Sequence, residues 1–233
     1  MGEFELIERY FKRAARHADV GIGDDCAIWS PSPGHQLAIS ADMLVEGRHF
    51  LSTVNPRDLG HKALAVNLSD LAACGATPRA FLLSLSLPRV DEVWLSGFSE
   101  GLFALANAQG CELIGGDTTQ GPLNIAITVM GEVPGHQAVL RSGAQAGHDV
   151  YVSGHLGDAR LALEAFRGSV SLPQSVFEMA RSRMERPEPR TALGVSLRGV
   201  ASAMADISDG LLGDLGHILK ASRVGADIHI AAI

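Results

Sequence analysis

The chain has 233 residues, 46% of them apolar, enough to fill a substantial core as one large domain or two of ordinary size. A formal net charge of -7 with only three lysines, Lys12, Lys62 and Lys220, excludes a phosphate-backbone surface of clustered Lys and Arg, so no nucleic-acid partner is expected. No run of about 18 apolar residues is present to span a membrane, and Cys26, Cys74 and Cys111 lack metal or disulfide spacing, which fits a reducing cytoplasm.

In chain order, Met1 to Arg16 reads as an amphipathic helix with Phe4, Ile7, Phe11 and Ala14 on one side. Gly21-Ile-Gly-Asp-Asp25 then places two carboxylates after a flexible turn. Cys26 to Trp29 and Leu37 to Ser40 read as strands joined by the turn Pro31 to Gly34. Ser40-Ala-Asp42 leaves a hydroxyl and a carboxylate two residues apart, on one side of an extended chain. Asn55, Pro56 and Asp58 mark the start of a helix that runs to about Cys74, with Gly75 as its stop. At 100° per residue Leu59, Ala63, Val66 and Asp70 share a stripe, so Asp70 sits inside an apolar face and must meet a cation, a hydrogen-bonding partner or a water-filled site.

Phe81 to Leu87 alternates as a strand, Asp91 caps a helix lasting to Ala108, and Gly110 ends it. Glu112 to Ile114 and Leu123 to Val133 are further strands, with Gly115-Gly-Asp117-Thr-Thr between them freeing amides for phosphate oxygens. Pro134-Gly135 and the polar stretch Arg141 to His148 read as the passage from a first domain, 1–135, to a second, 136–233. The second opens with a strand at Asp149 to Ser153, followed by helices at Asp158 to Phe166, Val176 to Met184 and Thr191 to Val200. Ala203 to Ile207 reads as a strand, Ser208-Asp209-Gly210 starts a helix to about Ala221, and Asp227 to Ile233 alternates again. Stopping inside that last element leads us to expect a C-terminally truncated polypeptide.

Five segments thus deliver aspartate at or near an apolar strand or helix: Asp24 and Asp25, Asp42, Asp70, Asp117, then Asp206 and Asp209. Singly, each has a structural reading as a turn, a cap or a buried ion pair. Gathered in one pocket, carboxylates repel by about 4 kcal/mol per close pair at an effective dielectric near 20, so the set needs cations. An all-oxygen donor set selects hard ions such as Mg2+. No Gly-x-x-x-x-Gly-Lys-Ser/Thr loop is present, so metal ions rather than a P-loop lysine must neutralise any bound phosphates.

The segments Gly21 to Ala27, Ala38 to Asp42, Lys62 to Ala73, Leu113 to Thr119 and Asp206 to Leu211 together resemble the thiamine-monophosphate kinase family, in the superfamily of aminoimidazole ribonucleotide and selenophosphate synthetases. The resemblance implies an α/β protein of two domains: an N-terminal mixed sheet that forms a barrel-like dimer interface, then an α+β domain, with ATP and several Mg2+ ions between. It implies metal ligands at Asp25, Ser40, Ala41, Asp42, Asp70, Asp117, Asp206 and Asp209, ATP contacts at Gly116, Asp117, Arg141 and Ser208, and a substrate contact at His49. Ala41 stands where a threonine is common, a mild change if that position ligates through its carbonyl. The reaction implied is direct phosphoryl transfer from ATP to thiamine monophosphate in a cytoplasmic homodimer. No side chain is expected to act as a catalytic base, and neither nucleic acid nor membrane is expected as a partner. Another ATP-dependent synthetase or ligase of the superfamily, or a fragment that binds Mg-ATP without turnover, are the alternative readings.

Overall fold

The structure is a computed structural model that describes residues 2–229. At the N-terminus, α1 (Glu3–Leu6) continues into a π-helical turn at Ile7–Phe11, where the Lys12 amide donates to the Ile7 carbonyl at 2.8 Å. The helix therefore ends at Phe11 and not at Arg16. The wider turn also rotates the buried face: Leu6, Tyr10 and Phe11 are buried, while Phe4 is exposed, against the stripe expected from a 100° spacing. Cys26 to Trp29 does not form a strand either: within it Ile28 alone bridges, to Val20.

One sheet organises the rest of the first half. β1 (His35–Val45) leads through α2 (Pro56–Ala73) to β2 (Thr77–Leu87), then through α3 (Glu92–Ala108) to β3 (Glu112–Gln120) and β4 (Asn124–Pro134). The order is β1-β4-β2-β3, with β4 antiparallel to β1 and β2, and β3 parallel to β2. The helix boundaries follow their caps. The Asn55 side chain accepts from the Arg57 amide at 2.9 Å with Pro56 in the first turn, and Asp91 accepts from the Val93 and Trp94 amides. Gly75 and Gly110 take the left-handed backbone just beyond each helix.

Alternation along the strands splits the sheet into two faces. Phe81, Leu83, Leu85, Ile125, Ile127 and Val129 pack under Leu59, Leu64 and Leu68 of α2 and Leu95, Phe98 and Leu102 of α3. The opposite face is open, with Leu37, Ile39 and Met43 exposed along β1. Gly60 and Gly101 let the two helices touch backbone to backbone: a Cβ at Gly60 would run into the Phe98 carbonyl, and one at Gly101 into that of Arg57. The Gly115 to Thr119 segment, expected as a turn after a strand, lies inside β3 and pairs with Leu82 to Ser86.

Beyond β4 the described residues form helices and loops. These are α4 (Asp158–Phe166), α5 (Gln174–Glu185), α6 (Thr191–Ser196) and α7 (Leu211–Ser222). Phe166 and Phe177 stack edge to face at 5.2 Å between α4 and α5, and α6 docks on α2 where Gly194 meets the Ala72 carbonyl. Helix α6 stops short of the expected Val200. The strands expected at Asp149 to Ser153 and Ala203 to Ile207 are irregular: the Met204 amide donates to the Leu140 carbonyl at 3.0 Å, but neither segment joins a strand ladder among the described residues. Of the strand expected at Asp227 to Ile233, residues 227–229 are irregular and the remainder lies outside the described residues.

Candidate functional site

The site begins where β1 crosses α2. Ser40 and Asp42 sit opposite Val129 and Ile127, on the helix-covered face, and the Ser40 hydroxyl donates to Asp70 at 2.5 Å. One turn earlier on α2, Asn67 is only 1% exposed; its side-chain oxygen accepts from the Asp42 amide at 3.0 Å while its amide group donates to the Ala63 carbonyl. Asn67 thus fixes the strand that presents Asp42. The sequence reading missed it, although its place between Val66 and Leu68 in an apolar helix is the same cue that exposed Asp70.

Electrostatics gather further residues around Asp70. Asp42 reaches solvent, yet its pKa lies above the ordinary 3.8 because of burial first and the Asp70 charge second, with His49 opposing. The Asp206 carboxyl is pushed up by burial, then by Asp70 and Asp214, while a hydrogen bond from Ser69 pulls it back. The Cys74 thiol is raised by burial and by Asp70 and Asp206, and Arg141 opposes that rise. Asp42, Asp70, Asp206 and Arg141 therefore share one neighbourhood at the C-terminal end of α2. Carboxylate charge there faces the negative end of the helix dipole, and the last turn of α2 contains no basic residue. Repelling carboxylates in that place fit a cation.

The other expected residues stand apart from this group. Asp25 is exposed at the tip of a loop, its amide donating to Asp24 at 2.8 Å. Asp117 is exposed on β3 opposite Ser84, on the open face of the sheet, and Ala41 shares that face opposite Thr128. Gly116 has φ +147, and a Cβ there would strike the Leu83 backbone, so only glycine allows β3 to lie this close to β2 here. His49 lies in the loop after β1, where its Nδ1 accepts from the Val45 amide and the Lys62 ammonium donates to its carbonyl at 2.9 Å. Among the described residues no three His, Cys, Asp or Glu side chains converge as a metal cage. The donor set suits ions shared between protein carboxylates and the oxygens of a bound phosphate.

Ser208 and Asp209 were expected to cap α7 themselves. Instead Asp214, in the helix's first turn and only 6% exposed, accepts the amides of Ser208, Asp209 and Gly210 at 2.9, 3.1 and 3.0 Å. That leaves the Ser208 and Asp209 side chains exposed. A groove of about 950 Å3 between the N-terminal helix and α3 contains none of the expected residues. A smaller cavity of about 520 Å3 is lined by Leu140 and Ser142, the neighbours of Arg141. Carboxylate chemistry, rather than volume, locates the site.

Residues 23–133 match the family model described as AIR synthase related protein, N-terminal domain. The thiamine-monophosphate kinase of Salmonella typhimurium strain LT2 is 48% identical over 236 aligned residues, spanning 100% of this chain and 73% of its own length. The crystal structure of thiamine-monophosphate kinase from Stenotrophomonas maltophilia K279a superposes with a TM-score of 0.83 at 47% identity, over 88% of this chain and 67% of that one. A structure of AaThiL complexed with AMPPCP and TMP superposes with a TM-score of 0.77 at 32% identity, over 83% of this chain and 63% of that one.

Proposed function

This chain belongs to the thiamine-monophosphate kinase family, and from that premise we propose that it transfers the γ-phosphoryl group of ATP to the phosphate of thiamine monophosphate, giving thiamine diphosphate and ADP. The observation that carries this reading is the 48% identity with a thiamine-monophosphate kinase across the whole chain. The AaThiL structure that holds AMPPCP, a methylene analogue of ATP, together with TMP supports the same donor and acceptor.

We assign Asp25, Ser40, the Ala41 carbonyl, Asp42, Asp70, Asp117, Asp206 and Asp209 to Mg2+. What supports this is the oxygen-only chemistry of the set and the raised carboxyl groups of Asp42 and Asp206 beside Asp70. When bound, Mg2+ neutralises the triphosphate and orders its oxygens. Arg141 brings a positive charge to the same carboxylate neighbourhood and is assigned to the ATP phosphates with Ser208, Asp117 and the exposed Gly116. His49 is assigned to the thiamine monophosphate side, since its ring is anchored through Nδ1 next to Asp42. The acceptor is already an anionic phosphate oxygen, so no side chain needs to remove a proton. Alignment and charge neutralisation carry the catalysis, and no covalent enzyme intermediate forms.

We further propose a homodimer in which the open sheet faces meet as a barrel-like interface, because Leu37, Ile39 and Met43 form an exposed apolar row there. The domain boundary is placed at residue 135, close to the end of the matched N-terminal domain at 133. A cytoplasmic location suits three cysteines that are all free. Among the described residues no helix is long and apolar enough to cross a membrane.

Titration calorimetry with AMPPCP, with and without Mg2+, paired with an assay for thiamine diphosphate, tests the reading. Tight binding only with Mg2+, and product formation only with thiamine monophosphate, are expected. Nucleotide binding that ignores Mg2+, or turnover of ATP that ignores thiamine monophosphate, would overturn it.

A further inference from the structure

Between the N-terminal helix and β1 the chain makes an excursion that is neither helix nor sheet, yet it bears Asp24 and Asp25. Its neck is closed by backbone hydrogen bonds: Val20 donates to Ile28 at 3.1 Å, and Ile28 donates back at 2.9 Å. The Ser30 hydroxyl donates to Asp19 at 2.9 Å beside it. A hairpin this short, with an exposed tip, has little core of its own. Apart from Ile22, which packs against the core, its position comes from its feet.

Both feet rest on buried glutamates of the sheet. Glu112, 6% exposed at the start of β3, accepts the Arg16 amide at 2.6 Å with one oxygen and the His17 and Ala18 amides at 2.8 and 2.7 Å with the other. Glu132, 2% exposed near the end of β4, accepts the amide and hydroxyl of Ser32 at 2.7 and 2.8 Å and the Arg79 guanidinium at 3.1 Å. Successive amides turned onto one anion form the concavity that proteins present to phosphate ions; here an internal carboxylate fills it. For both groups burial pushes the pKa up, but these hydrogen bonds outweigh it and hold the carboxyls below the ordinary 4.5, so they are charged at neutral pH. Glu132 pairs in register with Thr77 and Glu112 with Ala80, near the start of β2, the strand that α2 enters directly after delivering Asp70.

We infer that Glu112 and Glu132 are positioning residues that clamp the two feet of the hairpin and thereby set where Asp25 meets Mg2+ and ATP. The inference rests on the reading of Asp25 as a metal ligand. Replacing Glu112 by Gln keeps the shape but turns one oxygen into an amide donor, which must face a backbone N–H in either orientation. At least one of the three bonds is lost while the sheet stays packed.

The test compares Asp25→Asn, Glu112→Gln, the double variant and Ser32→Ala, which removes only the hydroxyl bond to Glu132 and keeps the second foot testable should Glu112→Gln not fold. Calorimetry at fixed AMPPCP reads the Mg2+ concentration for half-saturation, and amide hydrogen exchange reads residues 19–30. Glu112→Gln is expected to raise the half-saturating Mg2+ about tenfold and Ser32→Ala about threefold, with faster exchange in the hairpin. In the double variant Glu112→Gln should add nothing to Asp25→Asn, since it acts through that carboxylate. If Asp25→Asn leaves the Mg2+ dependence unchanged, the ligand role of Asp25 fails and the clamp proposal falls with it. If Asp25→Asn weakens binding while Glu112→Gln and Ser32→Ala do not, or if the double variant loses the sum of both effects, the clamp alone is overturned.

Discussion

Two regions meet at Pro134 and are held together differently. Before it, four paired strands and two helices share a core in which Leu59, Leu64, Leu68, Phe81, Leu95, Phe98 and Leu102 are completely or almost completely buried. After it, Val150 and Tyr151 are exposed, and order comes from short helices and single polar contacts. One such contact is Arg198, which donates to the Gly75 carbonyl at 2.5 Å and to Thr77 at 3.0 Å. Ser40, Asp42 and Asp70 belong to the first region, whereas Arg141, Asp206, Ser208 and Asp209 belong to the second. In the first, a charge can be removed and the core will still hold the backbone; in the second, a modest displacement moves functional groups at small cost in stability.

The largest effect should follow Asp70→Asn, which deletes the charge common to the Asp42 and Asp206 environments without disturbing Leu68 or Leu71. Thiamine diphosphate formation is expected to fall at least about a thousandfold, roughly 4 kcal/mol of transition-state stabilisation, while the melting temperature stays within a few degrees. Near-native turnover at saturating Mg2+ would remove Asp70 from the site. Next in size are paired glycine substitutions. Gly101→Ala forces α3 off the Arg57 backbone within the shared core and should cost about 3 kcal/mol or more in denaturant unfolding. Gly194→Ala forces α6 off Ala72 and should cost only about 1–2 kcal/mol, because α6 can shift without opening the sheet. Equal costs would show that the second region is packed as rigidly as the first.

Two sets of carboxylates, one of which spans both regions, give pH dependences of opposite sign. Asp42 and Asp206 have folded values above the ordinary 3.8, so their contribution to stability is complete below that value and is lost as pH rises through the raised folded values. Glu112 and Glu132 lie below the ordinary 4.5, so theirs is present above it and lost as pH falls through the lowered folded values. At pH 7 without metal, Asp206→Asn should therefore raise the melting temperature by about 1–2 °C while weakening Mg-AMPPCP binding. A lower metal-free melting temperature would mean that Ser69 and its surroundings already satisfy the Asp206 charge.

Much of the first region was legible because its signals are local. Asn55 with Pro56, Asp91, Gly75 and Gly110 mark helix ends through bonds to their own neighbours, and strict alternation reports β2 and β4. Asp70 was legible as a charge inside an apolar stripe, and its bond to Ser40 agrees with that reading. The π-helical turn was not, because one added residue per turn shifts the face without changing composition. Ala203 to Ile207 and Asp149 to Ser153 carry short apolar runs that read as strands, but a strand depends on the backbone beside it, which no local pattern specifies. Glu112, Glu132 and Asp214 escaped notice because acidic residues are ordinarily solvated, and their partners are backbone amides, which leave no trace in side-chain identity.

The smallest effect concerns Ala41, at the position where the family resemblance leads a threonine to be expected. Along β1 the side chains of Ser40 and Asp42 fall on the face covered by α2, so that of Ala41 falls on the open face, across from Thr128. It is exposed there and lies on the opposite side of the sheet from Asp70. Its methyl group offers no donor atom, so only its carbonyl can serve a metal, and a side-chain substitution leaves a carbonyl in place. Ala41→Thr should accordingly change the half-saturating Mg2+ for AMPPCP less than about twofold, while a threonine opposite Thr128 shifts stability by about 0.2–1 kcal/mol through a cross-strand pair. Calorimetry and thermal melts on the two proteins check both values. A tenfold tighter Mg2+ dependence in Ala41→Thr would mean that a hydroxyl at this position reaches the ions from the open face, the face that Asp117 also occupies.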